Sequence, residues 1–327
     1  MCYNIEINNL QIKSQKKGKR MMSINIKKRR IVSYCIVTLL MTACLTGCNG
    51  NNEAGNGNGG TAGASALLVE SMDLLEASGA YSYRLETKIQ QSDFLSEDVS
   101  EVSVVVTPYV AFNSTTKIGD GTKWITQVYQ RENQDGSMDL FVRNTENNES
   151  EFGEWNLNHI EPEFAELIIS NGKENVKYYA ELLRANKTLF KEDENEQVEG
   201  KNTIVLKGAI TPDSAAKVYN DYLRDYYREF GLVEDKNLTA EEAKNEIVTS
   251  GILELQSGIP ALAFSPNNIP LTIWIDAESH APIKLELDKT DVMQMLIGVE
   301  KVEKVVTTYK LLELGTLVTI PAPEGVE

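Results

Sequence analysis

The chain has 327 residues, with 32 Lys+Arg against 48 Asp+Glu and a formal net charge of -16. The first 48 positions hold nine basic residues and one acidic residue, so everything beyond them carries 23 basic and 47 acidic side chains. A body that acidic is a poor nucleic-acid binder, because phosphate contacts need clustered Lys and Arg, and 42% hydrophobic residues is too many for a wholly disordered chain.

The N-terminus reads as an export leader. Lys27, Lys28, Arg29 and Arg30 form a basic region, and Ile31 to Leu45 is an apolar run interrupted by Ser33, Thr38 and Thr42. Fifteen helical residues rise roughly 22 Å, short of the ~30 Å hydrocarbon core, which suits a signal peptide better than a permanent span. Leu45-Thr46-Gly47-Cys48 then resembles the bacterial lipobox, in which the cysteine thiol receives a diacylglyceryl group and the preceding peptide bond is cut. The expected division is a signal peptide over 1–47, a lipidated Cys48 with a Gly/Asn-rich tether over 48–65, and a folded domain over 66–327. Residues 1–20 fit no part of a leader, and Met21 or Met22 is a more natural start. Two acyl chains suffice for stable anchoring, which places the body at the outer face of the cytoplasmic membrane. All four cysteines (Cys2, Cys35, Cys44, Cys48) fall in or beside the leader, so disulfides and thiol metal sites are excluded from the body.

Within the body, Leu67, Leu68, Met72, Leu74 and Leu75 recur near the 3.6 period and predict a helix over 66–78, stopped by Gly79. Tyr81, Tyr83, Leu85, Thr87 and Ile89 then alternate with polar residues as a half-buried strand. Further strands are expected at 99–106, 109–117, 122–131, 138–144 and 152–157, with turns at Asp120-Gly121 and Asp135-Gly136. Strands this closely spaced pair antiparallel, since parallel pairing needs long crossovers.

Pro162 opens a helical insertion over about 160–186, with a break expected near Gly172. Two strands, at about 188–195 and 202–210, flank an acidic turn from Glu192 to Glu196 that reads as a solvated tip rather than a calcium loop. A second helical insertion covers about 211–250. It begins at Thr211-Pro212, carries Tyr219, Tyr222, Leu223, Tyr226, Tyr227 and Phe230 on one face, and includes a capping-box pattern at Thr239 and Glu242. Leu271 to Asp276 and Ile283 to Asp288 form a hairpin with Ile283, Leu285 and Leu287 facing in. A methionine-bearing apolar stretch, 292–299, follows and precedes a last long strand over about 302–314.

The helix, the long meander, the "Trp-Ile-Asp … Pro-Ile-Lys" hairpin, Tyr309 and the terminal Ile320-Pro321 together resemble the LolA-like superfamily, and within it the LppX/LprG-type lipoproteins and similar lipoproteins of Gram-positive bacteria. The resemblance implies an α+β fold: a curved, unclosed antiparallel sheet, a half-barrel, with helices covering its concave face.

Catalytic signatures are missing from the sequence. His159 and His280, the two histidines, stand in no ligand spacing, and no nucleophile-elbow, P-loop or dinucleotide fingerprint occurs. A non-catalytic protein with no cofactor or metal is therefore expected. It would bind or carry a lipid or another apolar small molecule in the concavity, lined by Tyr83, Leu85, Tyr222, Tyr226, Ile273, Leu285, Leu287 and Met293. The alternative on the same fold is an interaction or sensor module with an envelope protein partner.

Overall fold

The computed structural model describes residues 61–91, 94–119, 121–145, 151–229, 259–297, 302–324 and 326, with Thr239 and Glu242 between them. Helix α1 spans Thr61–Ala77 and leads into β1 (Ala80–Gln91), β2 (Phe94–Val105), β3 (Val110–Gly119), β4 (Thr122–Glu132), β5 (Met138–Asn144) and β6 (Asn156–Ile160). Helix α2 (Pro162–Ala185) precedes β7 (Lys191–Glu192), β8 (Glu196–Val198) and β9 (Lys201–Ile210), and α3 (Pro212–Glu229) follows. The C-terminal part holds α4 (Ile259–Leu262), β10 (Ile269–Asp276), β11 (Pro282–Asp288), α5 (Thr290–Ile297) and β12 (Lys304–Leu314).

All twelve strands join one antiparallel sheet in the order β6-β5-β4-β3-β2-β1-β12-β11-β10-β9-β7, with β8 on β9. Its ends, β6 and β7, do not pair with each other, so the sheet is an open half-barrel. The last strand enters between the first strand and the C-terminal hairpin. Tyr83 stands opposite Leu311, and Leu85 opposite Tyr309. The two halves of the chain are thereby zipped into one layer.

Period two gives each strand an inner and an outer face. On the inner face Leu206, Ile273 and Leu287 pack with Leu68 and Met72 of α1, Leu182 of α2 and Ala215 and Ala216 of α3. Farther along, Val102, Val104, Ala111, Val128 and Leu140 pack with Ala165, Ile169 and Val176 of α2. Helix α2 therefore serves both cores, its first half one and its last turns the other. Outside, Tyr129 and Phe141 are covered by the C-terminal segment through Ile320 and Val326.

Several boundaries differ from expectation. Helix α1 begins at Thr61, within the stretch read as tether, and buries Ala64. Helix α2 runs through Gly172 without a break. A mid-helix glycine costs about 1 kcal/mol, less than is gained by burying Ile169 on one side of it and Val176 on the other. Strand β6 starts at Asn156 rather than 152, because the preceding stretch is held by Arg143, whose guanidinium lies 4.5 Å from the Phe152 ring and 4.3 Å from Trp155. The Thr239 capping box forms: Thr239 Oγ1 accepts the Glu242 N–H at 3.3 Å, and Glu242 Oε2 accepts the Thr239 N–H at 2.9 Å. The rest of that helical expectation lies outside the described residues.

Candidate functional site

The two inner-face cores meet over the middle of the sheet and do not close completely. Between them lies an apolar pocket of about 120 Å³. Met72 and Leu75 of α1 and Val176, Tyr179, Ala180 and Leu183 of α2 form its roof. Tyr81 and Tyr83 of β1, Tyr309 and Leu311 of β12, and Ile283 and Leu285 of β11 form its floor. These residues meet because β1, β12 and β11 are neighbours, so alternate residues of each stand in adjacent rows.

The rings set the pocket's shape. Tyr81 and Tyr83 stack with centroids 6.0 Å apart, Tyr83 and Tyr309 stand at 6.3 Å, and Tyr179 meets Tyr309 edge-on at 6.0 Å. The hydroxyls of Tyr179 and Tyr309 are hydrogen-bonded at 3.2 Å, which pins α2 to the sheet across the pocket. Such rings offer an apolar body with a polar tip. To one side the inner face turns polar. Ser100 and Thr115 share a hydrogen bond of 2.8 Å, and Thr115 donates to Asn113 at 3.1 Å. Farther along, burial raises the pKa of the Asp98 carboxyl, which stands 3.9 Å from Lys117.

The roof is tied down by polar contacts at its rim. Arg184 near the end of α2 reaches Glu76 through both guanidinium branches, at 2.8 and 2.9 Å, and Asp73 at 2.6 Å. Glu70 of α1 meets His280 of the β10–β11 turn at 2.9 Å. That turn is organised by Asp276, whose Oδ1 accepts the N–H groups of Glu278 and Ser279 at 2.9 Å each. These bonds, from Ser279 first, hold its carboxyl below the usual range.

Of the lining residues expected from sequence, Tyr83 and Leu285 stand on the pocket wall. Leu85 is buried on the same face, opposite Tyr309. Ile273 and Leu287 are in the core of the C-terminal half. Met293 is half-buried on α5, at the far end of β11 from the Pro282 wall. Tyr222 and Tyr226 are in α3, with side chains outside the described set, and Cys48 is outside the described residues. Sequence reasoning missed Tyr179 and Leu183 as lining. Their signal was the apolar stripe of α2, which marks a buried face without saying what it meets.

Among the described residues no group of three or more His, Cys, Asp or Glu could hold a metal ion, and no helix is long and apolar enough to cross a membrane. His159 accompanies Asp139 at 2.9 Å on the β5–β6 edge, away from the pocket.

No family model matches the chain, and no curated protein matches it. Three solved structures are similar to it. Lipoprotein LppX of Mycobacterium tuberculosis aligns with 12% identity and a TM-score of 0.38, over 80% of this chain and 99% of that one. LprF of Mycobacterium bovis gives 12% identity and 0.40, over 82% and 100%. A DUF1329 family protein of Desulfovibrio piger gives 10% and 0.20, over 78% and 92%. No residue role is carried across at these identities.

Proposed function

We propose that this chain is a non-catalytic extracytoplasmic lipoprotein, held at the outer face of the bacterial cytoplasmic membrane by a diacylglyceryl group on Cys48. It takes the apolar part of a lipid or other small molecule between α1, α2 and the middle of the sheet. The observation that carries this reading is the pocket of about 120 Å³, walled by tyrosine rings and aliphatic side chains. Dry apolar cavities of about 150 Å³ accommodate a benzene ring, so this one suits a ring or the end of one acyl chain. The remainder of a larger ligand lies along the pocket's open side.

The small volume also favours a second reading, in which a protein partner inserts an apolar side chain at the same place. The two are separated by native mass spectrometry with lipid extraction on protein purified from bacterial membranes. Carriage gives apolar adducts of defined mass that disappear in Leu285→Asp while the near-ultraviolet circular dichroism is retained. A folded, adduct-free protein that also fails to bind a fluorescent fatty acid, but crosslinks to an envelope protein through α1 or α2, supports the partner reading and refutes carriage.

A further inference from the structure

Among the described residues eight large apolar side chains are exposed. Scattered singly they would need no explanation. Four of them are scattered: Leu74 on α1, Leu157 on β6, Leu189 after α2 and Leu312 on the outer face of β12. The other four are Leu95, Ile118, Trp124 and Met295, exposed to 62%, 43%, 46% and 44%, and they stand at one rim of the half-barrel, Leu95 and Ile118 in the outer row of their strands and Trp124 in the inner row. Leu95 is the second residue of β2, Ile118 the next-to-last of β3 and Trp124 the third of β4. Antiparallel pairing brings the end of β3 beside the starts of β2 and β4, with Glu97 opposite Ile118 and Lys117 opposite Trp124. Met295 is on α5, which joins the end of β11 to the start of β12 at that same end of the sheet. From β12 to β4 is four strand spacings, about 20 Å at ~4.8 Å each.

We infer that this rim is a membrane-docking edge, which sinks Trp124, Ile118 and Leu95 into the interfacial layer of a lipid bilayer. Three features select a bilayer as the occupant. Trp beside aliphatic side chains is the composition of a membrane–water boundary, where the indole keeps its N–H at headgroup depth. Lysines stand beside the apolar tips, with Lys117, which also lies 3.9 Å from Asp98, opposite Trp124, and Lys123 opposite Ile118, whose other neighbour is Glu97. Their stems can lie along apolar surface while the ammonium reaches phosphate. The chain preceding the fold also brings the bilayer close. Thr61 follows Cys48 by thirteen residues, which span at most ~45 Å when fully extended, and the start of α1 lies beside β7, where Gly63 approaches Glu192, eight strand spacings from β4, about 38 Å at ~4.8 Å each. With the Cys48 anchor proposed above, on which this inference rests, a body tethered that closely meets the bilayer with some part of its surface, and this rim offers exposed apolar side chains for it. The edge is separate from the pocket, since none of its four apolar residues lines it.

The test uses the full chain reconstituted into phosphatidylcholine vesicles whose acyl chains carry bromine, a contact quencher of indole emission. Trp124 is one of three tryptophans. Trp274 is buried on β10, six strands from β4, and donates to Glu196, whereas Trp155 is half-buried under Arg143 just before β6, two strands from β4 at the same end of the sheet, so the difference between the wild type and Trp124→Phe is what isolates the rim. Brominated lipid should quench part of the emission of the wild-type chain, and Trp124→Phe should remove most of that quenching. Leu95→Ser with Ile118→Ser should weaken it with an unchanged thermal melt, which keeps the test valid if Trp124→Phe folds poorly. Ala180→Leu, inside the pocket, should leave it unaltered, so docking and ligand binding can fail independently. Equal quenching in wild type and Trp124→Phe overturns the inference. Absence of quenching in protein that floats with the vesicles overturns the rim alone and leaves the Cys48 anchor standing, whereas a chain that does not float at all overturns both.

Discussion

Filling a flaw in a core gains stability alone, whereas filling a pocket kept for a ligand also costs affinity, and Ala180 allows the two to be told apart. Ala180 is fully buried in the roof, on α2, between Tyr179 and the last apolar turn. Unfilled apolar space costs about 24 cal/mol per Å³ in core truncation series. A cavity of about 120 Å³ therefore corresponds to at most ~3 kcal/mol, and less here because the pocket is open on one side. That is also the largest affinity its filling can supply, roughly a hundredfold in Kd. Ala180→Leu introduces three carbons into this space. The variant should melt at or above the wild-type temperature while losing about tenfold or more in affinity for a fluorescent fatty acid, since the side chain takes part of the ligand's place. Differential scanning calorimetry and a fluorescence titration on the same samples measure the two quantities. Destabilisation above about 2 kcal/mol, the overpacking result, would show that the space is not available. Unchanged affinity would show that the ligand sits elsewhere.

Three further outcomes are expected. A Cβ on Gly208 would come within 2.6 Å of two ring atoms of Phe190, itself fully buried, so Gly208→Ala should cost about 1–3 kcal/mol in urea unfolding; a compensating Phe190→Leu should recover part of the loss, and additive costs would refute the contact. The hydrogen bond to Asp139 raises the His159 pKa above 6.5, so its contribution to stability is complete below that pH and disappears as the pH climbs through the raised value; in an NMR titration Asp139→Asn should lower the His159 midpoint, and an unmoved midpoint contradicts the assignment. Burial alone brings Lys289 down to about 8 from an ordinary 10.5, so between those values the unfolded chain holds a proton the folded chain does not. Stability measured by urea unfolding should therefore rise across that interval, and Lys289→Met should flatten the rise.

What could be read from the sequence follows from how local each signal is. β5, Met138–Asn144, matches the expected 138–144 because it starts just after the Asp135-Gly136 turn, where Asp135 Oδ1 accepts the Ser137 N–H at 3.0 Å and Gly136 takes φ +82°. The alternation of β11 placed Leu285 and Leu287 on the inner face, yet it does not distinguish a residue facing a helix from one facing a gap. Leu287 meets the core and Leu285 the pocket. Met72, Tyr179 and Leu285 are about a hundred residues apart in the chain and converge only because β12 inserts between β1 and β11. No short-range pattern encodes that insertion. The exposed rim was hidden for the converse reason: Leu95, Ile118 and Trp124 have the hydrophobicity of core residues, and what sets them apart is the outer row for Leu95 and Ile118 and the strand end for all three.

The open sheet explains why the pocket lies where it does. A closed barrel of this many strands would present all its inner rows to one lumen, whereas this sheet needs helices as a second layer to bury its apolar rows. One helix, α2, spans both cores. It is fixed to one by Ala165 and Ile169, and to the other by Leu182 and Leu183. Where it passes from one to the other, Tyr179 touches Tyr309 of β12 at its hydroxyl tip, Tyr309 in turn meets Tyr83 of β1, and β11 supplies the aliphatic Ile283 and Leu285. Rings in contact at their edges and tips hold the layers apart, leaving volume that interdigitating Leu and Ile would fill. Replacing Tyr309 with a smaller apolar residue would remove that strut, so the tyrosines both line the space and maintain it.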